Sequence, residues 1–592
     1  MNIPLCRFCI LVLSPILFAS WAAAAPQVVY VNGKVVTVDD QFSIVEGFAT
    51  AADRFIAAGT SKDMLSLADD ATQVVDLEGR TVVPGLIDNH NHFVRGAQHW
   101  SHLVRLEGIT SKGAALERLR GVADRLAGDQ WLIALGGWNE EQFTDADPRF
   151  TLSELDAIAG GRPAFLQAQY DHAFVNSAFL RHFGIDPAAP RGVTGAADTE
   201  LDPEALARPG PQSGAGAAPQ CGRREPNVGG GAGGAAPGVM WGGMPMVIPV
   251  TGALPALTEA ELIDGVRKAQ AYYNSLGLTT TYDPAGGLIT EEAYRSVEAL
   301  HAANELTIRV FRTRQFMLAN PEHAERAARE IAEMPPMLNG DHYYDTMAIG
   351  EAFYIPVQIV DGLDDRRPIA DEHAEPVRLL LESLLKRGLA AQIHVVRSEA
   401  IEFHLRLLEE LSDRYTLYPA QVTFTHAELV TREQLARIRD LGISLMLRSM
   451  SVVRRPDSLI EQYSEAATSV PPLRMVQDSG VNWGIGTDGS KAAQIDPLVS
   501  LEWAVTGRAM NGDRVLDEEQ LLTREEALIA HTRNNAQMVF RGNSLGQIRP
   551  GFLADFVVLD GDYLEIDAAS IGEMQVLRTV VGGQVVYDTG AL

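Results

Sequence analysis

Cysteine, positive charge and long apolar runs are all scarce in this sequence. Only 3 of the 592 residues are cysteines, and two of them, Cys6 and Cys9, lie within the first 25 residues. If those residues are removed, Cys221 remains alone, which excludes an internal disulfide framework. Core packing and bound metal would then have to supply the stability. Cys221 itself is open to an incidental or a catalytic interpretation.

The charge balance is strongly acidic. Asp and Glu number 77 against 49 Lys and Arg, which gives a formal net charge of −28 at pH 7. A general nucleic-acid-binding protein needs a basic face, so this composition excludes that class. It also disfavours adhesion to an anionic membrane surface.

The first 25 residues have the features of a secretory signal peptide. Arg7 supplies a positive charge, residues 8–19 are mostly apolar, and residues 22–24 are three alanines that suit a cleavage site. The apolar run is shorter than the roughly 20 residues that cross a bilayer. We therefore predict a periplasmic or secreted protein with no stable membrane insertion after cleavage. An uncleaved membrane anchor is the alternative.

Both ends of the remaining chain are rich in short β-strands. Residues 28–31 and 34–38 flank Asn32-Gly33, the dipeptide of tight type I′ turns, and this pattern predicts a hairpin. Residues 554–560 and 579–587 predict further strands near the C-terminus. We therefore predict one small β-sandwich domain built from residues 26–83 and 541–592.

Between these ends, apolar β-rich segments alternate with helical stretches, the pattern of repeated βα units around a parallel sheet. One segment runs into His90, and seven more follow at 277–283, 306–311, 346–351, 390–394, 422–426, 442–447 and 482–488. Eight strands suffice for a closed (β/α)8 TIM-like barrel, an α/β fold whose active site lies at the C-terminal strand ends. The barrel is predicted over residues 84–540.

A long insertion, residues 100–270, separates the first two barrel strands. It begins with an α/β pattern of its own and continues into residues 207–245, which are dominated by Gly, Ala and Pro. A segment of that composition buries too little apolar surface to order itself. It is predicted to be a disordered spacer or a lid over the barrel mouth.

Potential metal ligands stand at the ends of several predicted strands. His90 and His92 share one face if the strand continues through them, which makes half of a metal site. A lone pair of this kind also occurs as hydrogen-bonded core histidines. Later strands, however, end in His394, His426 and Asp488. This recurrence where a barrel carries its chemistry favours a metal site.

Taken together, these motifs resemble the amidohydrolase superfamily of metal-dependent hydrolases. The similarity rests on the Pro-Gly-Leu-Ile-Asp-x-His-x-His run at 84–92, the later strand-end ligands, and residues 551–559. Finer features are similar to the amidohydrolase family 3 branch, which includes N-substituted formamide deformylases. They lie at 136–138, 155–163, 171–177 and 496–498.

The resemblance implies one or two divalent metal ions, with zinc expected from nitrogen and carboxylate ligands. The family places a bridging residue at the end of strand 4, often a carboxylated lysine and in some members a glutamate, and here that position is Glu351. Asp488 is implied to act also as the general base. The implied ligands are His90, His92 and Asp488 for the buried ion, and His394 and His426 for a second ion bridged by Glu351.

Two further residues are candidates for substrate binding. His172, in the insertion, is implied to polarise the scissile carbonyl or bind substrate, with a structural role as the alternative. Arg448 departs from the family pattern, because relatives often carry Gln-Pro where this chain has Arg448-Ser449. Another departure is Val-Val-Arg-Ser at 395–398, where relatives often have Ala-Ile-Gly-Asp. Arg448 is predicted to hold a carboxylate or other anion, with a solvated loop charge as the alternative.

The predicted function is metal-dependent hydrolysis of an amide or related C–N bond in a small-molecule substrate, without specificity for peptide bonds. The same site would also suit a deaminase, an isomerase or an esterase, and the scaffold would suit a non-catalytic binding or regulatory protein. The sequence leaves the oligomeric state open, with a homodimer as one option.

Overall fold

The computed structural model describes residues 26–592 except 129, 170–171, 186, 188–238, 242–249, 251–252, 255, 286–288, 317 and 359–368, and for 239–241 it describes the backbone alone. The predicted signal peptide, Cys221 and most of the 207–245 segment therefore lie outside the described residues. Within the described ranges, none of the helices has both the length and the apolar character needed to cross a membrane.

β-Strands occur at the two ends of the chain, in the barrel and in the insertion. The first eight are β1 (Val28–Val31), β2 (Lys34–Val36), β3 (Ile44–Val45), β4 (Gly47–Ala51), β5 (Arg54–Gly59), β6 (Gln73–Asp76), β7 (Thr81–Pro84) and β8 (Leu86–Asp88). The insertion contains β9 (Leu132–Leu135), β10 (Ala164–Ala168), β11 (His172–Val175) and β12 (Val239–Trp241). The remaining strands are β13 (Leu278–Asp283), β14 (Arg309–Arg314), β15 (Tyr344–Ile349), β16 (Ala390–Val395), β17 (Val422–His426), β18 (Ser444–Arg448), β19 (Trp483–Gly486), β20 (Phe556–Leu559), β21 (Val576–Val581) and β22 (Gln584–Asp588).

Helices cover the outside of the barrel and flank the other sheets. Up to the second barrel strand they are Ser61–Leu67, Phe93–Ala97, Lys112–Ala123, Leu152–Ala159, Ser177–His182 and Glu259–Ser275. The later ones are Arg295–Ala302, Pro321–Glu333, Ala374–Arg387, Ser398–Ser412, Arg432–Asp440, Pro456–Tyr463, Leu473–Ser479, Pro497–Thr506, Arg524–His531 and Arg533–Met538. Several begin at a capping box, as at Thr258 with Glu261. There the threonine oxygen and the glutamate carboxylate satisfy backbone N–H groups that the first turn leaves free.

The barrel is an eight-stranded parallel sheet in the order β19-β18-β17-β16-β15-β14-β13-β8. Its first and last strands meet where Asp488 N donates to His90 O (2.8 Å) and His92 N donates to Gly489 O (2.6 Å). The predicted barrel is confirmed. The third strand, predicted over 306–311, is shifted and begins at Arg309.

Residues from both chain ends form two further sheets, in the orders β5-β4-β1-β6 and β22-β21-β20-β7-β2-β3. The second sheet joins the termini directly, because β20 pairs antiparallel with β7. Between the sheets, the rings of Tyr30 and Phe48 stack at 4.6 Å and Phe556 meets Tyr30 edge-on at 5.1 Å. The β-sandwich built from both termini is thus present.

The hairpin predicted over residues 28–38 is wrong. β1 pairs with β4 and β6, whereas β2 pairs with β3 and β7 in the other sheet. Asn32 does adopt a positive φ of 56°. The turn sends the chain from one sheet to the other, so that Val29 and Val35 are each buried in a separate core cluster. Burial of apolar side chains overrides the local hairpin preference of Asn-Gly.

The insertion has its own sheet, ordered β12-β11-β10-β9. An aromatic cluster of Trp138, Phe143, Phe150 and Phe174 fills the space on one side of it. The insertion docks on the loop after β19, where Gly137 N donates to Lys491 O at 2.9 Å. β12 pairs with β11, so residues 239–241 of the predicted spacer or lid belong to this sheet.

Candidate metal centre

Five strands deliver the predicted ligands to one end of the barrel. His90 and His92 follow β8, and Glu351 comes two residues after β15. The other ligands lie at the same end, where the structure has His394 in β16, His426 at the end of β17 and Asp488 two residues after β19. The carboxyl ends of parallel strands meet at one rim, which is why residues some 400 positions apart come together.

Asp488 and Glu351 lie between the two histidines of the first strand. His92 Nε2 is 3.2 Å from Asp488 Oδ1 and 3.5 Å from Glu351 Oε1. His90 Nε2 is 3.6 Å from Asp488 Oδ1 and 3.4 Å from Glu351 Oε2. All four side chains are buried. Imidazole nitrogens and carboxylate oxygens therefore converge on one point.

Glu351 also connects this group to the histidines of the fifth and sixth strands. Its Oε2 lies 3.3 Å from His426 Nε2 and 3.4 Å from His394 Nδ1. Across the described residues, two sets have donor atoms within 4.8 Å of one another: His90, His92 and Asp488, and His90, Glu351 and His426. The sets share His90 and neither includes His394, whose side chain is 20% exposed. Glu351 therefore contacts histidines from both parts of the centre, while His90 is the residue common to the two sets.

The donor set is suited to a divalent cation. Burial lowers the pKa of His90 to about 4 and that of His426 to about 3, so both rings are neutral near pH 7. Burial raises the pKa of Glu351, but the nearby histidines bring it well below its ordinary value. Neither ring nitrogen of His90 forms a hydrogen bond within the described part of the chain. Neutral imidazoles and ionised carboxylates are the forms that bind metal.

Asp88 aligns the two loops that carry His90, His92 and Asp488. Its Oδ1 accepts hydrogen bonds from His90 N (3.1 Å) and Thr487 N (3.0 Å). Its Oδ2 accepts from Asn91 Nδ2 (2.9 Å) and from the Thr487 hydroxyl. The sequence does not indicate this role, because Asp88 is there only part of the motif. An acidic residue two positions before His-x-His, at the end of a buried strand, is the signal that could have revealed it.

Gly350 allows Glu351 to reach the centre. A Cβ on this glycine would collide with the Gln392 carbonyl of the next strand. The backbone of Glu351 is held on both sides, since its N donates to Pro284 O at 3.0 Å and its O accepts from Gln358 Nε2 at 2.9 Å. The backbone that carries the carboxylate is thus fixed by Pro284, which follows β13, and by Gln358.

Arg448 is buried rather than solvated. Its Nη1 donates to Asp488 Oδ2 at 2.8 Å and its Nε donates to Glu428, with 3% of the side chain exposed. The alternative of a solvated loop charge is therefore wrong. Burial raises the pKa of Asp488, but its bond with His92 and the charge of Arg448 bring it below its ordinary value. His92 and Arg448 together keep Asp488 ionised.

His172 lies in β11 of the insertion and is also buried. Its Nε2 is 3.0 and 3.1 Å from the two carboxylate oxygens of Glu140. Burial raises the pKa of Glu140, but His172 brings it below its ordinary value. Glu140 therefore fixes the orientation of the His172 ring.

Comparisons with known proteins agree with this architecture. A model of the amidohydrolase family matches residues 73–206 and 238–587. N-substituted formamide deformylase of Arthrobacter pascens is 23% identical, over 94% of this chain and 98% of that protein. The protein LONG AFTER FAR-RED 3 of Arabidopsis thaliana is 22% identical, over 94% of this chain and 91% of its own length.

The fold also matches a solved structure. An uncharacterized metal-dependent hydrolase from Pyrococcus horikoshii OT3 superposes with a TM-score of 0.60 at 19% identity, over 91% of this chain and 99% of that one. This likeness supports the barrel and its attached sheets. Because the family model spans well over half of the sequence, the protein belongs to the amidohydrolase family.

Proposed function

We propose that this protein is a metal-dependent hydrolase that cleaves an amide or related C–N bond of a small molecule. The observation that carries the proposal is the convergence of four buried side chains: Nε2 of His90 and of His92 each lies 3.2–3.6 Å from a carboxylate oxygen of Glu351 and of Asp488. The name of the Arthrobacter relative makes N-substituted formamides a natural first substrate class.

The metal we propose is zinc, as one or two ions. His90, His92 and Asp488 would hold the first ion, while Glu351 would be shared with a second held by His426 and His394. When bound, such an ion lowers the pKa of water to about 7 and polarises a carbonyl oxygen.

The side chains around the ligands have separate tasks. Arg448 holds Oδ2 of Asp488, so Oδ1 faces the histidines and is the atom that would accept a proton as general base. Glu140 orients His172, which we propose contacts the substrate from the insertion. Asp88 keeps the two ligand-bearing loops in register.

A panel of substrates with metal analysis tests the proposal. The purified protein would be loaded with zinc, analysed for metal per chain, and assayed on matched N-formyl amides, N-acyl amides and esters. We expect stoichiometric metal and turnover of at least one amide class, lost in Asp488→Asn and retained in the exposed control Asp70→Asn. Bound metal with no turnover of any substrate would favour a binding protein on this scaffold instead.

We also propose that the protein is exported. The support is Arg7, the apolar run at 8–19 and the alanines at 22–24. Mass spectrometry of the protein from its native host should place the mature N-terminus near Ala25. Recovery of intact Met1 on a cytoplasmic protein would contradict this.

A further inference from the structure

Glu428 is a buried acidic residue near the metal centre that the proposed reaction does not use. It follows the ligand His426 by two residues, and its side chain is 3% exposed. Its Oε1 accepts a hydrogen bond from Nε of Arg448, whose side chain is equally buried. A buried ion pair adds little to stability compared with apolar residues of the same size, so the contacts of the pair have to explain it.

Arg448 joins Glu428 to the proposed general base. Its Nη1 donates to Oδ2 of Asp488 at 2.8 Å, while its Nε is bonded to Glu428. Because the guanidinium is planar and its donors point in fixed directions, the two bonds fix the relative positions of the two carboxylates. Oδ1 of Asp488 lies on the side of the histidines, 3.2 Å from Nε2 of His92. Glu428 is therefore connected to Asp488 through one rigid group.

The backbone on both sides of Glu428 is bonded to the end of β16. Ala427 N donates to Val395 O at 2.7 Å, and Leu429 N donates to Val396 O at 3.0 Å. Ala427 has a positive φ of 49°. A residue other than glycine keeps such a conformation only where the surrounding structure holds it. Glu428 therefore meets Arg448 from a backbone that is fixed in place.

Glu428 also balances the charge of Arg448. Arg448 ends β18 in register with Gly486, which lies two residues before Asp488, and it stands where relatives often carry Gln-Pro. A guanidinium next to a site for a metal cation would repel that cation. The carboxylate of Glu428 offsets this charge at hydrogen-bonding distance. Arg448 can therefore hold Asp488 with less opposition to metal binding.

We propose that Glu428 is a positioning residue for Asp488 and acts through Arg448. The pair holds Oδ2 of Asp488, so that Oδ1 alone serves the reaction. Arg448 then binds carboxylates of its own chain rather than an anion of the substrate. This assignment rests on the proposed hydrolase function for its effect on turnover, but not for the position of the Asp488 carboxylate.

The first experiment observes the Asp488 carboxylate without relying on turnover. Crystal structures of the full-length protein would be determined for the unchanged chain, Glu428→Met and Arg448→Met, each with and without zinc. We expect the carboxylate to adopt a different rotamer in Arg448→Met, and to move together with the Arg448 guanidinium in Glu428→Met. An Asp488 side chain that keeps its position in both variants would overturn the proposal.

The second experiment measures zinc affinity by competition with a chelator, and kcat and KM on a neutral N-formyl amide. In each single variant we expect zinc affinity or kcat to fall about 10- to 100-fold, as is typical when a residue that orients a ligand is lost. KM should stay nearly unchanged, because the pair contacts no substrate. Glu433→Met and Arg432→Met, both exposed, are the matched controls and should behave like the unchanged protein. A loss confined to KM would assign Arg448 to substrate binding and contradict the proposal.

The double variant Glu428→Met/Arg448→Met separates positioning from support of the fold. Each single variant leaves one buried charge without its partner and should unfold at a lower temperature, whereas the double variant removes both charges and should unfold near the midpoint of the unchanged protein. Its kcat should be no lower than that of Arg448→Met, because residues that act as one unit have non-additive effects. Full turnover in the double variant, or a midpoint as low as in the single variants, would contradict the assignment.

The two proposals fail in different ways. If the unchanged, zinc-loaded protein hydrolyses none of the amides, the proposed function fails. The rotamer of Asp488 in the metal-free crystals and the zinc affinity of the variants still decide whether Glu428 positions Asp488.

Discussion

The metal centre and the side chains that follow its ligands along the chain carry opposite charges. In the metal centre, the imidazole nitrogens of His90 and His92 meet the carboxylate oxygens of Glu351 and Asp488. Three residues after His92 and Asp488 stand two cations, Arg95 and Lys491, and the charges of Arg95 and Arg105 both act on Lys491.

This difference shows which of the two groups can hold a metal ion. The imidazole nitrogens and carboxylates of the metal centre suit a divalent cation, whereas ammonium and guanidinium groups offer it no lone pair.

The largest effect is expected from removing the charge shared by the metal centre. Glu351→Gln keeps the size of the side chain, so no loss can come from a cavity. Because Oε2 is 3.3–3.4 Å from His90, His394 and His426, we expect the metal content to fall toward one ion per chain. Turnover should fall by several orders of magnitude.

Elemental analysis measures the metal content of the variant, and a turnover assay measures its activity. Glu433→Gln, on an exposed helix surface, is the matched control and should change neither. Full metal content with full activity in Glu351→Gln would mean that the site is mononuclear or bridged by another residue.

Asp88→Asn should have a smaller effect than Glu351→Gln, and this effect should be confined to metal affinity. Both oxygens of Asp88 accept hydrogen bonds, so the amide of asparagine would place a donor against another donor. Loss of such a supporting residue typically weakens metal binding about 10- to 100-fold. Competition with a chelator measures the affinity, and Asp70→Asn is the control. Unchanged zinc affinity would show that the loops hold their register without Asp88.

The smallest effect is expected from the Gly-, Ala- and Pro-rich segment, which lies outside the metal centre in the sequence. Replacing residues 207–238 by a short linker, while keeping β12, should leave the thermal unfolding midpoint nearly unchanged, because the segment is dominated by Gly, Ala and Pro. Turnover and unfolding would be measured side by side. Loss of activity at full stability would favour the lid, and loss of stability would contradict the prediction.

Much of the barrel could be predicted from the sequence because its signals are local. Each barrel strand is an apolar β-rich segment of a few residues, and the predicted ligands stand at or just after strand ends. The shift of β14 by three residues and the wrong hairpin at 28–38 occur where burial in a larger sheet outweighs local preference.

The sequence by itself determined the fold class and the types of ligand, since periodicity and residue chemistry are properties of short segments. Only the tertiary structure decided which charges meet. Asp88 and Thr487 are 399 positions apart, and Arg448 and Asp488 are 40 apart. Arg95, in the helix Phe93–Ala97, acts on Lys491 near the other end of the barrel sequence. Closure of the barrel brings these side chains together, and the sequence around each residue does not predict its distant partner.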